Sequence, residues 1–144
     1  MTSRPSTTAS SLCRVLHSLP EEVDAVCLEL RSFLQAHGRA ADAFAVELLA
    51  REALNNAVLH GNQSQPDKTA RLDVRLGRRW LRLQITDEGP GFNWRAARRG
   101  LPEADTASGR GLLISDLYAD RVAFNQRGNQ ITLWLDKPQH SEKV

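Results

Sequence analysis

Residues 51–62 read REALNNAVLHGN, and within this stretch Glu52 and Asn56 stand four positions apart. A carboxylate can take a proton from a hydroxyl, and an amide oxygen is a hard ligand of the kind a small divalent cation accepts. On a helical wheel at about 100° per residue with Phe44 at zero, Glu52 falls at about 80° and Asn56 at about 120°. Leu48 and Leu59 lie on one side of them, Ala45 between and Leu49 beyond, whereas Glu47, Arg51 and Asn55 occupy a more polar arc. Both residues are therefore expected to point inward, where an unsatisfied polar group is expensive. A structural pair that caps or salt-bridges the helix end is the plain alternative. The unfavourable dipole at a helix C-terminus argues against leaving a carboxylate there without a use.

Two further stretches carry chemistry of their own. In DEGPGF, residues 87–92, the inward parity of Leu81, Leu83 and Ile85 runs on to Asp87. An acid is thus aimed at the core face where a strand ends, an acceptor suited to an amino group such as the exocyclic amine of adenine. Gly89 and Gly91 would let the backbone approach a flat ligand, although a simple turn has the same composition. In SGRGLL, residues 108–113, Gly109 and Gly111 open a helix after a long loop. Free backbone N–H groups there form a phosphate cradle to which Arg110 adds charge; alternatively, the glycines merely end the loop.

The elements that must position these groups follow from periodicity. Residues 12–19 suggest an opening strand. Pro20 starts a helix with Val23, Val26, Cys27, Leu30 and Leu34 on one face, acids in its first turn and Gly38 as its stop. A second helix is expected from Asp42, as N-cap, to Gly61 at C′. RLDVRL and WLRLQITD form a hairpin turning near Gly77. Residues 88–108 have no periodicity and contain two prolines and three glycines, as a functional loop would. A helix from Gly109 and a closing hairpin around Gly128 and Asn129 complete the order. The fold class is α+β: a two-layer sandwich with a mixed, mostly antiparallel sheet and helices on one face.

The bulk composition restricts the function. With 144 residues, 41% of them hydrophobic, the chain suits one globular domain. Residues 1–11 read as a disordered leader, 12–136 as the domain and 137–144 as a tail. No apolar run spans a bilayer and no signal peptide is evident, so the expected location is the cytoplasm. Sixteen of nineteen basic residues are arginines, but the net charge is only +2, and they follow no recognition-helix pattern, which speaks against nucleic acid. Cys13 and Cys27 match no metal-ligand or redox spacing and read as buried thiols.

E-x-x-x-N on a helix, D-x-G-x-G after a strand and G-x-G opening a helix occur here in one order. In that order they resemble the N, G1 and G2 boxes of the Bergerat-type (GHKL) ATP-binding fold. EALNNAVLHGN, DEGPGF and GRGLLI are most similar to the small anti-sigma-factor serine kinases, over roughly residues 12–136. No phosphoacceptor-histidine helix pair or transducer domain is recognisable. The resemblance implies ATP with Mg²⁺, and a serine of a STAS-domain anti-anti-sigma protein as the phosphoacceptor. It also implies possible binding of a sigma factor, possible homodimerisation and an opposing PPM-type phosphatase in the pathway.

Residue by residue, the resemblance makes Glu52 the general base and Asn56 the Mg²⁺ ligand. Asp87 receives the adenine amine, with Gly89 and Gly91 shaping that wall. Gly109, Arg110, Gly111 and Leu112 lie under the phosphates, and the loop from Phe92 to Ser108 forms the ATP lid. Some members carry an arginine just before the second glycine box, where this chain has Thr106, Ala107 and Ser108; Arg98, Arg99 or Arg110 are the substitutes. His60 fits the family's pattern, or packs at the helix end. Asn129 and Thr132 are both candidates for the last-strand contact with adenine. The competing function is a non-catalytic module that binds nucleotide and sequesters a sigma factor or STAS partner.

Overall fold

Strand parity decides which side of this molecule is apolar. In the computed structural model, which describes residues 10–95 and 118–136, β1 (Ser10–His17) turns Leu12 and Leu16 to one side. It starts two residues inside the stretch expected to be a leader. Cys13 takes the opposite parity and is exposed, whereas Cys27 is buried; the expectation of two buried thiols fails for Cys13 because its neighbours, not it, face the core.

Helix α1 (Pro20–Ala36) begins with proline, and Glu21 and Glu22 lie in its first turn, where the missing N–H costs nothing and the dipole favours acids. Its buried residues are Val23, Val26, Cys27, Leu30 and Leu34, the face read from the sequence. Gly38, at φ +75°, ends it in a Schellman turn. There the N–H of Arg39 donates to the Leu34 carbonyl at 2.7 Å and that of Gly38 to the Gln35 carbonyl at 3.3 Å.

Helix α2 (Ala43–Asn55) follows a single 3₁₀ turn, Ala40–Asp42. Asp42 makes no side-chain cap, contrary to expectation. Its carboxylate lies 3.9 Å from the guanidinium of Arg39, a buried arginine that donates to the backbone carbonyls of Gly77 and Trp80. The charge needed by Arg39 therefore takes the side chain that a cap would have used. Through these bonds Arg39 ties the start of α2 to the hairpin turn.

The sheet continues with β2 (Thr69–Leu76), β3 (Leu81–Asp87), β4 (Arg121–Phe124) and β5 (Gln130–Leu135), in the spatial order β1-β2-β3-β5-β4. All four pairings are antiparallel, so among the described residues the sheet is not mixed. Leu72 faces Ile85, Val74 faces Leu83 and Leu76 faces Leu81 across β2 and β3, and all six are buried against the helices. Helices thus cover one face of an antiparallel sheet in an α+β sandwich. No helix among the described residues is long and apolar enough to cross a membrane.

The wheel for α2 needs rotating. Its buried residues are Val46, Leu49, Ala50, Ala53 and Leu54, and Phe44 and Leu59 are 71% and 48% exposed. Ala50, Ala53 and Ala57 all lie on the buried arc, so hydrophobic size alone misplaces the centre of the face. Glu52 and Asn56 consequently lie half-buried at the border of the core, not within it.

Replacing Arg39 with methionine keeps the apolar stem but leaves two turn carbonyls without their donor and Asp42 without its counter-charge. A loss of about 1.5–3 kcal/mol is expected, measured by urea denaturation.

Candidate functional site

The end of α2 does not stop as an α-helix. It widens into a π-helical turn over Asn56–Gly61, and the N–H of Asn62 reaches back five residues to the Ala57 carbonyl at 2.7 Å. Such widenings are rare and concentrate at functional sites. Beyond it, Gln63 and Ser64 adopt φ of +54° and +56°, left-handed conformations that non-glycine residues hold only when their surroundings enforce them.

Asn62 supplies much of that enforcement. It is fully buried. Its amide nitrogen donates to Ser18 Oγ at 3.0 Å and to the Thr69 carbonyl at 2.9 Å. Its amide oxygen accepts from the N–H of Glu88 at 2.8 Å. Glu88 in turn accepts from the N–H of Thr69 at 2.9 Å. One asparagine thereby joins the helix end to the start of β2 and the end of β3. Sequence reading passed over it, since an asparagine after a helix-ending glycine looks like ordinary turn chemistry.

Where these ends meet, there is no room for a side chain. A Cβ on Gly61 would overlap the Asp87 carboxylate, and one on Gly89 would overlap the Gly61 carbonyl. Gly89 thus permits chain packing and is itself buried, rather than lining the ligand space. Its N–H donates to Asp87 Oδ1 at 2.7 Å. Gly91 has φ +85° and packs on the Arg127 carbonyl. Arg127 donates to the Gly89 carbonyl at 2.9 Å, which ties the segment after β3 to the β4–β5 turn.

That turn is ordered by Asn125, whose amide oxygen accepts from the N–H groups of Gly128, Asn129 and Gln130 at 2.8, 3.1 and 3.2 Å. Asn129 then pairs with Asp87 through backbone and side chain: the N–H of Asp87 donates to the Asn129 carbonyl at 2.9 Å, and Asn129 Nδ2 to the Asp87 carbonyl at 2.8 Å. Phe92 packs edge-on against Phe124, and Trp94 stacks on the same ring, each at 5.4 Å.

Between these elements lies a cavity of about 190 Å³. Asn56, Asp87, Gly91 and Asn129 bring polar atoms to it, and Ala53, Ala57, Ile85 and Ile131 form apolar walls, a composition suited to a flat, partly polar ligand. Burial pushes the Asp87 carboxyl above the usual carboxylate range, opposed by the Gly89 N–H and, less, by Arg127 and Lys68. Its backbone is pinned by Asn129 and its oxygen by Gly89, so the acceptor is held in place.

Of the residues singled out in the sequence, the cavity brings together Asn56, Asp87, Gly91, His60 and Asn129. Thr132 is not among its walls; it accepts from Gln84 Nε2 at 2.9 Å on the other side of the sheet. Glu52 lies one helical turn before Asn56 and does not line the cavity. Gly109, Arg110, Gly111 and Leu112, Thr106 to Ser108, and Arg98 and Arg99 lie outside the described residues. For a divalent cation, no group of three or more His, Cys, Asp or Glu side chains is gathered among the described residues. Mg²⁺ commonly takes only one or two protein oxygens and completes its shell with phosphate and water. Asn56 borders the cavity without a side-chain hydrogen bond to a described residue, which fits a single-ligand role.

A family model described as a histidine kinase-like ATPase domain matches residues 16–135, and the chain belongs to that family. Its sequence is also similar to the anti-sigma F factor of Bacillus cytotoxicus, with 34% identity over 82 residues. The aligned region takes in 54% of this chain and 56% of that relative, so the chain spans little more than half of it.

Two substitutions probe the junction. Gly61→Ala is expected to displace the Asp87 carboxylate, lower Tm and weaken nucleotide binding at least tenfold, read by calorimetry. Asp87 titrates higher folded than unfolded, so its ionisation opposes folding. That penalty is absent below the unfolded value and complete above the folded one. Asp87→Asn is therefore expected to raise Tm at neutral pH and to lose the advantage near about pH 3, measured by thermal scans at both pH values.

Proposed function

We propose that this chain is an ATP-dependent serine protein kinase and anti-sigma factor acting in the cytoplasm, which phosphorylates a serine on a STAS-domain anti-anti-sigma protein. The observation that carries the reading is the pinned, half-buried Asp87 carboxylate in a cavity whose rim holds Asn56, within a histidine kinase-like ATPase domain. The similarity to an anti-sigma F factor supports the regulatory role. A sigma factor as second ligand, a homodimeric assembly and an opposing PPM-type phosphatase complete the proposed pathway.

In this reading Asp87 accepts the adenine amino group, a selection by hydrogen bonding that a purine with a carbonyl at that position cannot satisfy. Gly91 and the apolar walls admit the ring, with Asn129, in the turn just before the last strand, at its edge. Asn56 holds Mg²⁺, which neutralises phosphate charge during transfer. Gly109, Arg110, Gly111 and Leu112 are assigned to the phosphates from the sequence alone. Glu52, one turn up the helix, takes the proton of the incoming serine hydroxyl. As that happens, its oxygen bonds to the γ-phosphorus and the bond to ADP breaks. The base need not line the adenine cavity, because the hydroxyl it serves arrives with the partner protein.

A second reading, a nucleotide-binding module without transfer, is favoured by the placement of Glu52 outside the cavity walls. Incubation with labelled Mg-ATP and a STAS-domain partner separates the two. Transfer is expected, and Glu52→Ala is expected to reduce it about 10²- to 10⁴-fold while ATP affinity stays within a factor of about three. Stable ATP and partner complexes without transfer would establish the binding module. In a separate titration, Asp87→Ala is expected to abolish ATP binding; retention of wild-type affinity would remove the adenine assignment and with it both readings.

A further inference from the structure

The face of the sheet turned away from the helices carries a pattern that the nucleotide site does not use. Residues opposite one another in antiparallel strands project to the same side. Arg75 stands opposite Arg82, Arg82 opposite Trp134, and Trp134 opposite Arg121. Four adjacent strands therefore present one row of three arginines and a tryptophan. The parity is secure, since the flanking Val74, Leu76, Leu81, Leu83, Leu133 and Leu135 are all buried on the helix side.

Two features of the row are unfavourable in the isolated chain. Arg75 and Arg82 are like charges placed directly opposite, which destabilises a sheet. The Nε of Arg82 is shielded from solvent and has no hydrogen-bond acceptor. Among the described residues no carboxylate forms an ion pair with Arg75 or Arg82. The hairpin turn next to them adds Arg78 and Arg79, both exposed. On this face Asp73 lies 3.8 Å from Arg71, away from the row. Arg121 stacks its guanidinium over Trp134 at 4.2 Å, which leaves its N–H edge free to receive an acceptor while the ring fixes its plane.

We propose that this row is a docking surface for an acidic segment of a protein partner, separate from the nucleotide cavity and not dependent on its assignment. Planar guanidinium groups pair bidentately with carboxylates. Strands about 4.8 Å apart set the row at roughly 15 Å from Arg75 to Arg121, a span that a short acidic segment covers with three carboxylates. Nucleic acid fits less well. The ring that could stack a base is occupied by Arg121, and the next row carries Asp73 together with the neutral Gln84 and Thr132.

The test uses the full chain and a fluorescein-labelled, Glu/Asp-rich peptide of about ten residues. Anisotropy titration at low salt is expected to show saturable binding that weakens with added salt. Arg75→Glu is expected to weaken it at least tenfold and leave ATP affinity unchanged. The same substitution turns the Arg75–Arg82 opposition into an attraction, so its Tm is expected to rise by about 1–3 °C, which shows that the loss is not unfolding. Arg121→Glu provides a second variant at the other end of the row, with the same expected loss of peptide. The proposal is overturned if no peptide binds at millimolar concentration, or if both variants bind it as tightly as the wild type. Tighter binding of a DNA oligonucleotide of equal charge overturns it in favour of nucleic acid. Sedimentation that shows a dimer dissociated by Arg75→Glu overturns it in favour of a second copy of the chain.

Discussion

The meeting of Gly61, Asp87 and Gly89 is the constraint on which the rest of the site depends. A helix end, a strand end and the segment after it converge so closely that a methyl group on either glycine would overlap its neighbour. This contact brings the Asp87 carboxylate out of bulk water while leaving it at a cavity wall. Desolvation then raises its proton affinity, and the Gly89 N–H holds its orientation. A carboxylate kept in that state is a strong acceptor for a donor that enters the cavity, because water competes poorly there.

Around that contact, asparagines do the joining. Asn62 links the helix end to β2 and to the residue after β3, Asn125 orders the β4–β5 turn, and Asn129 grips the backbone of Asp87 on both sides. Each satisfies several backbone groups that the irregular segments would otherwise leave unpaired, a costly omission in a partly buried region. The π-helical turn and the two left-handed residues after it are held by the same network. Local strain at this end of α2 is thus offset by hydrogen bonds from three different parts of the chain.

The sheet serves two surfaces at once. Its inner face, with Leu72, Val74, Leu83, Ile85 and Leu133, provides the core that positions α1 and α2. Its outer face is rich in arginine, with charge concentrated in one cross-strand row and in the adjoining turn. The modest net charge of +2 conceals this segregation, because acidic side chains on the helices neutralise arginines away from that row, as Glu29 does with Arg14 and Glu47 with Arg31.

By itself, the sequence determined the strands of the central hairpin, the apolar face of α1, the α+β class and the motif order that marks the family. These follow from period and spacing, which short-range sterics and burial impose wherever the chain folds. It also singled out Asp87, because strand parity carries one residue past the last apolar position. The tertiary structure alone decided how α2 is rotated, since it buries Ala50 and Ala53 and leaves Leu59, which the wheel had placed inward, exposed. It alone revealed Arg39 as a buried clamp, Asn62 as a junction and Gly89 as a packing position. Each of those roles depends on atoms distant in the chain, and no local pattern records which carbonyl or carboxylate a folded chain will bring within reach.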